Sequence, residues 1–163
     1  RALRAPRGRV RGLSVARVLT RAGRKLWPPP LAAGVDFSAV RILDRAHNPY
    51  AALMRISVVR GGRIFWPGAP AEAQLLAERA HLAHELVHVW QYQALRRCGL
   101  ELLLSRVYRY RLDPARAFRD YGYEQQAAIV EDYVRLCDGA ECRWTDATAP
   151  RADYERVIAT AAG

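Results

Sequence analysis

His84-Glu85-Leu86-Val87-His88 sets two imidazoles four residues apart, with a carboxylate next to the first. On a helix, positions i and i+4 stand one above the other on one face, so both rings can reach a single metal ion. Zinc suits such a nitrogen pair. Glu85 then stands where a general base toward a metal-activated water belongs. The chemistry these five residues point to is metal-assisted hydrolysis.

A catalytic zinc takes three protein ligands and keeps one position open for water. No histidine follows His88, so a third ligand downstream has to be a carboxylate. Gln91 and Ala94 occupy the places where the extended motif would carry its Gly and third His, which excludes the three-His branch. The carboxylates available are Glu101, Asp120, Glu124, Glu131 and Asp132. Glu101 comes so soon after Cys98-Gly99 that it would need a very tight return. Glu124 is better placed, on a second helix that can run antiparallel to the first. Its small neighbours Ala127 and Ala128 let two helices approach closely. Glu131, two turns further along the same face, suits the acceptor that a metal-bound imidazole requires behind it. Gln91, one turn beyond His88, can hydrogen-bond within the site. Tyr121 and Tyr123 flank Glu124; a hydroxyl there could stabilise an oxyanion, or both rings could simply fill the core. His81 reads as a supporting or exposed residue and His47 as incidental.

The octapeptide His84-Glu-Leu-Val-His-Val-Trp-Gln91, followed by Tyr121-Gly-Tyr-Glu-Gln-Gln-Ala127, resembles the bacterial Vgr-related zinc metallopeptidases. Those are small gluzincin-type proteins with an HELTHVWQ-like helix and a downstream YGxEQQA segment. The resemblance extends from about Val35 through Leu136. It implies zinc held by His84, His88 and Glu124, with Glu85 as base. It also implies a peptide or protein substrate and a partner from a secretion or toxin system. The function expected is a zinc-dependent metallopeptidase. The alternative is a non-catalytic binding or assembly module in which the metal is structural.

The elements that must position these residues are legible in outline. Val35–Leu43 alternates apolar and polar positions as a strand would. Leu53–Val59 and Arg63–Trp66 flank Gly61-Gly62, a two-residue hairpin signal, and the second run offers an edge to an extended peptide. Ala71 to Arg97 contains neither Pro nor Gly and predicts one long helix, stopped at Cys98-Gly99. Leu100–Tyr110 is compatible with helix or extended structure. Asp113-Pro114 predicts a helix start, running to about Leu136, and Pro150 opens a last helix over 151–161. The fold class expected is α+β: a small N-terminal β-hairpin or sheet, then a mainly helical body. That body carries the HExxH helix and an antiparallel helix bearing Glu124.

At 163 residues the chain is long enough for one domain with a real core. Nine of its 26 basic residues lie in 1–35, where no acid occurs; the remaining 17 meet all 16 acids. The net charge of +10 therefore belongs to the N-terminus. Residues 1–34 read as a basic, flexible arm ending at Pro28-Pro29-Pro30, and 35–163 as a single zincin-like domain. The arm can contact acidic surfaces by charge. No specific nucleic-acid binding is predicted, because no aromatic platform or recognition motif accompanies it. With neither a signal peptide nor an apolar 18-residue run visible, a bacterial cytoplasmic location is favoured. Cys137 and Cys142 bracket a loop that a disulfide could close in an oxidising compartment. Three cysteines without a C-x-x-C pair argue against a cysteine zinc site.

Overall fold

The computed structural model describes residues 16–96 and 106–162. Four short strands form one sheet in the order β1-β2-β4-β3: β1 (Arg17–Val18), β2 (Arg41–Leu43), β3 (Val58–Arg60) and β4 (Arg63–Phe65). β1 runs antiparallel to β2, β2 parallel to β4, and β3 antiparallel to β4. Helices make up the rest: α1 (Arg21–Lys25), α2 (Pro29–Ala32), α3 (Pro49–Met54), α4 (Leu76–Gln93), α5 (Tyr123–Cys137) and α6 (Arg151–Ala159). The architecture is α+β, a small sheet against a mainly helical body. No helix among the described residues is long and apolar enough to cross a membrane.

The hairpin turns at Gly61, whose φ of 63° favours glycine, with Gly62 beside it. β4 lies between β2 and β3, so Arg63–Phe65 presents no free edge; the outer strand next to the helices is β3. The strand expected over 35–43 shrinks to three residues because Asp36 captures its start. The Asp36 carboxylate accepts from Ser38 N and Ser38 Oγ at 2.9 and 2.6 Å, which builds a turn. Leu53 belongs to no strand. Asn48 caps α3 by accepting Ala51 N–H at 2.8 Å, Pro49 sits at its first turn, and Arg55 ends it at φ 51°.

α4 begins five residues later than expected. Glu78 in its first turn accepts the N–H groups of Gln74 and Leu75, both at 3.0 Å, and so defines the start. Its proposed stop at Cys98-Gly99, and Glu101, lie outside the described residues. Asp113-Pro114 does not start the second helix. The Asp113 side chain accepts Ala115 N–H at 2.9 Å in a local turn, and a 3-10 turn over Phe118–Asp120 follows. The helix begins only at Tyr123.

The second half of the expected arm departs most from expectation. Residues 17–32 hold β1, α1 and α2. Leu19, Trp27 and Leu31 are buried in the common core with Leu86, Trp90, Ile129 and Ile158. Burying each such side chain is worth about 1.5–3 kcal/mol, which outweighs the solvation of the neighbouring arginines. Residues 1–15 lie outside the description. Gly34 closes this segment over Trp90: a Cβ there would stand 2.7 Å from the indole and 2.9 Å from Ala94 Cβ.

α4 packs on α5 through small residues, with Ala83, Ala127 and Ala128 fully buried. The two run antiparallel, since His84 meets Glu131 while Gln91, two turns on, meets Tyr123. That pairing places the polar residues of both helices.

Candidate metal centre

α4 presents His84 and His88 on one face and α5 presents Glu124 opposite them. Glu124 Oε2 lies 3.3 Å from His84 Nε2 and 3.3 Å from His88 Nε2. One donor atom from each of the three lies within 4.8 Å of the others, and all three residues are buried. Such a group could hold a metal ion. Ligand atoms about 2.0–2.1 Å from an ion at tetrahedral angles stand roughly 3.3 Å apart. Glu124 Oε2 is also buried without a hydrogen bond, an expensive state for a carboxylate oxygen unless a cation completes it. The residues fit a small, nitrogen- and oxygen-seeking cation such as zinc.

The His88 ring is oriented through a chain of amides. Gln91 Nε2 reaches Tyr123 O at 2.8 Å and Gln126 Oε1 at 2.9 Å; the first can only accept, so Nε2 is the donor there. Gln126 in turn donates to Tyr121 O at 2.7 Å. Gln91 Oε1 therefore faces His88 Nδ1 at 2.8 Å and accepts a hydrogen bond from its N–H. This tautomer leaves the Nε2 lone pair pointing at Glu124 and the centre.

His84 is oriented by a carboxylate. Its Nδ1 lies 3.1 Å from Glu131 Oε2, close but without the alignment of a good hydrogen bond. Trp144 Nε1 donates to that same oxygen at 2.7 Å, and Arg143 lies 3.4 Å from Oε1. Asp132 secures the loop that brings them: it accepts Arg143 N–H at 2.6 Å, Trp144 N–H at 3.0 Å and Tyr110 O–H at 2.8 Å. Burial pushes the His84 imidazole down, but Glu124 and Glu131 outweigh it and raise it to about 10. Burial also pushes both carboxyls up. The His84 and His88 contacts reverse this for Glu124, and His84, Trp144 and Arg143 do so for Glu131, each reaching about 2. Three charges thus hold one another in the absence of an ion.

Glu85 is 5% exposed and borders the same trough. Its Oε1 lies 3.5 Å from His81 Nε2, which also meets Ser57 Oγ at 2.9 Å. Burial holds His81 below its ordinary value, so the ring is neutral at neutral pH. His47 is exposed against Phe65, away from the centre.

Tyr121 is turned into the core. Its hydroxyl accepts Asp113 N–H at 2.8 Å and does not face the trough. Tyr123 stacks flat on His88, centroids 4.7 Å apart, and acts on that ring's position. The tyrosine that lines the trough is Tyr108, which stacks on His84 at 5.8 Å and on Trp144 at 4.8 Å. Burial, then the charges of Glu124 and Glu85, raise its hydroxyl to about 12, so it stays a proton donor. Its signal was present in the sequence. From 107 to 112, Tyr108, Tyr110 and Leu112 turn inward while Val107, Arg109 and Arg111 are exposed, the period-2 pattern of extended chain. Cys137 and Cys142 are free thiols. A larger concavity lies elsewhere, between Leu136 and Ala149, and no histidine lines it.

No protein-family model matches the chain. Among solved structures, the fold matches an effector domain, at a TM-score of 0.61 and 27% identity over 76% of each chain. That domain belongs to VgrG2b of Pseudomonas aeruginosa. In sequence, the chain is 30% identical over 111 residues, 61% of its length, to the type VI secretion system spike protein VgrG2b of the same organism. The match spans 11% of that spike protein's length. The chain is similar, in sequence and in fold, to the effector domain of VgrG2b.

Proposed function

We propose that the chain is a zinc-dependent peptidase of gluzincin type, with His84, His88 and Glu124 as ligands and Glu85 as general base. The observation that carries this reading is the Glu124 oxygen, buried without a hydrogen bond and 3.3 Å from both imidazole nitrogens, beside a buried glutamate in an open trough. When bound, zinc would polarise a scissile carbonyl and acidify a water. Glu85 takes the water's proton and hands it to the leaving amine. Tyr108 offers its hydroxyl to the carbonyl oxygen as negative charge develops. Gln91 and Glu131 hold the two rings, so that neither tautomer nor angle must be found during the reaction. The relation to an effector domain of a secretion spike supports a peptide or protein target and an association with such a secretion system.

The test is metal content combined with hydrolysis. Protein purified without chelator should hold about one equivalent of zinc and cleave an unbiased peptide library. Glu85→Gln should keep the zinc and lose at least a hundredfold in rate. Absence of zinc, or full activity in Glu85→Gln, would overturn the reading.

A further inference from the structure

Two lobes of the trough adjoin the centre and share Ile56, Ser57, His84, Glu85 and Tyr108. Beyond that common floor, one lobe ends at Arg106 and the other is bordered by Arg55 and Arg143. The acids lining it are Glu85, Glu124 and Glu131, all buried at the centre. Each already faces a histidine, and Glu131 faces Trp144 and Arg143 as well. The rim is thus cationic over a centre whose acids are buried and turned toward histidines.

This is no echo of the chain's basic character, since residues 36–163 carry 17 basic and 16 acidic side chains. Arg55 stands at the left-handed end of α3, its side chain in no ion pair among the described residues, and the same holds for Arg106. Arg143 is stacked on Trp144 at 4.5 Å and touches Glu131 through one nitrogen, yet its side chain remains 54% exposed. A guanidinium held over an indole, with several N–H groups still available, is pre-organised for a carboxylate.

We propose that the trough selects peptides with acidic side chains flanking the scissile bond, on both sides of it. This rests on the peptidase reading of the centre. The lobe with Arg55 and Arg143 is the roomier, about 290 Å³ against about 120 Å³, and holds two guanidiniums to one. Selection is therefore stronger on that side. Exposed ion pairs contribute about two- to fivefold each, so the two together give roughly four- to twenty-fivefold.

The experiment uses peptides of one sequence with Asp and Glu, or Lys, at the flanking positions, each with a free and an amidated C-terminus. Binding to zinc-loaded Glu85→Gln is read by fluorescence polarisation, and hydrolysis by the unmodified protein by mass spectrometry. Acidic peptides should bind and be cleaved better with either terminus, less so at high salt. Arg55→Glu, away from the groups that hold the centre, should cut the preference at least twofold while zinc content is unchanged; Arg55→Lys should keep it. Equal binding of acidic and Lys peptides, with cleavage intact, overturns the inference and leaves the peptidase reading standing. A preference confined to free C-termini also overturns it, since the terminal carboxylate would then be what is read. Selective binding of acidic peptides without cleavage of any supports the trough's selectivity and overturns the peptidase reading.

Discussion

Gln91 Oε1 lies 2.8 Å behind His88 Nδ1, and its amide cannot turn over, because its nitrogen is held by the backbone oxygen of Tyr123. The proton on Nδ1 is thereby assigned by packing and needs no metal to choose it.

Gln91→Ala should therefore weaken zinc affinity about 10- to 100-fold while leaving all three proposed ligands in place. Competition titration against a chromophoric chelator reads the change. Gln91→Glu, which keeps an acceptor behind the ring, should lose far less. Equal losses in the two variants would assign Gln91 to packing alone.

Stability in the metal-free state should peak in mildly acidic solution. Glu124 and Glu131 fall from an ordinary 4.5 to about 2, so their contribution is present above about 4.5 and is lost as pH falls toward 2. His84 rises from 6.5 to about 10, so its contribution is complete below 6.5 and is lost as pH climbs toward 10. Urea denaturation in chelator should show both flanks. With zinc added the alkaline flank should vanish, because a ligating imidazole is neutral already. The same alkaline loss with and without zinc would contradict the ligand assignment.

Tyr108→Phe keeps the ring on His84 and removes only the hydroxyl. Turnover should fall about a hundredfold with KM and zinc affinity little changed. A fall in zinc affinity instead would make Tyr108 a support for His84 and no partner of the substrate.

The N-terminal segment can be tested without touching the centre. Leu31 is fully buried among core residues. Leu31→Ala should cost about 2–5 kcal/mol in urea denaturation, as large-to-small core changes do. A cost below about 0.5 kcal/mol would mean that residues 16–34 are dispensable to the fold.

The helical scaffold of the centre was legible because its signals are local. Residue spacing along one helix places His84 and His88 together, and a second helix bearing Glu124 follows from its own composition. Tyr108, Trp144 and Arg143 were not legible as site residues. They lie on extended chain whose place is set by Asp132 gathering two backbone N–H groups from a distant loop. The buried half of the basic segment was hidden for another reason. Leu19 and Trp27 lie among Arg17, Arg21, Arg24 and Lys25, with Leu31 just past three prolines, and charge density outweighs three apolar residues in any compositional reading. Asn48-Pro49 was a readable helix start overlooked beside the stronger hairpin signal at Gly61-Gly62.

The antiparallel pairing of α4 and α5 carries one more consequence. No stretch of local sequence holds the whole centre, since Glu124 arrives only when a helix from farther along the chain has docked. An extended or partly unthreaded chain would thus lack the proposed ligand set, and any capacity to bind an ion would be acquired in the act of folding.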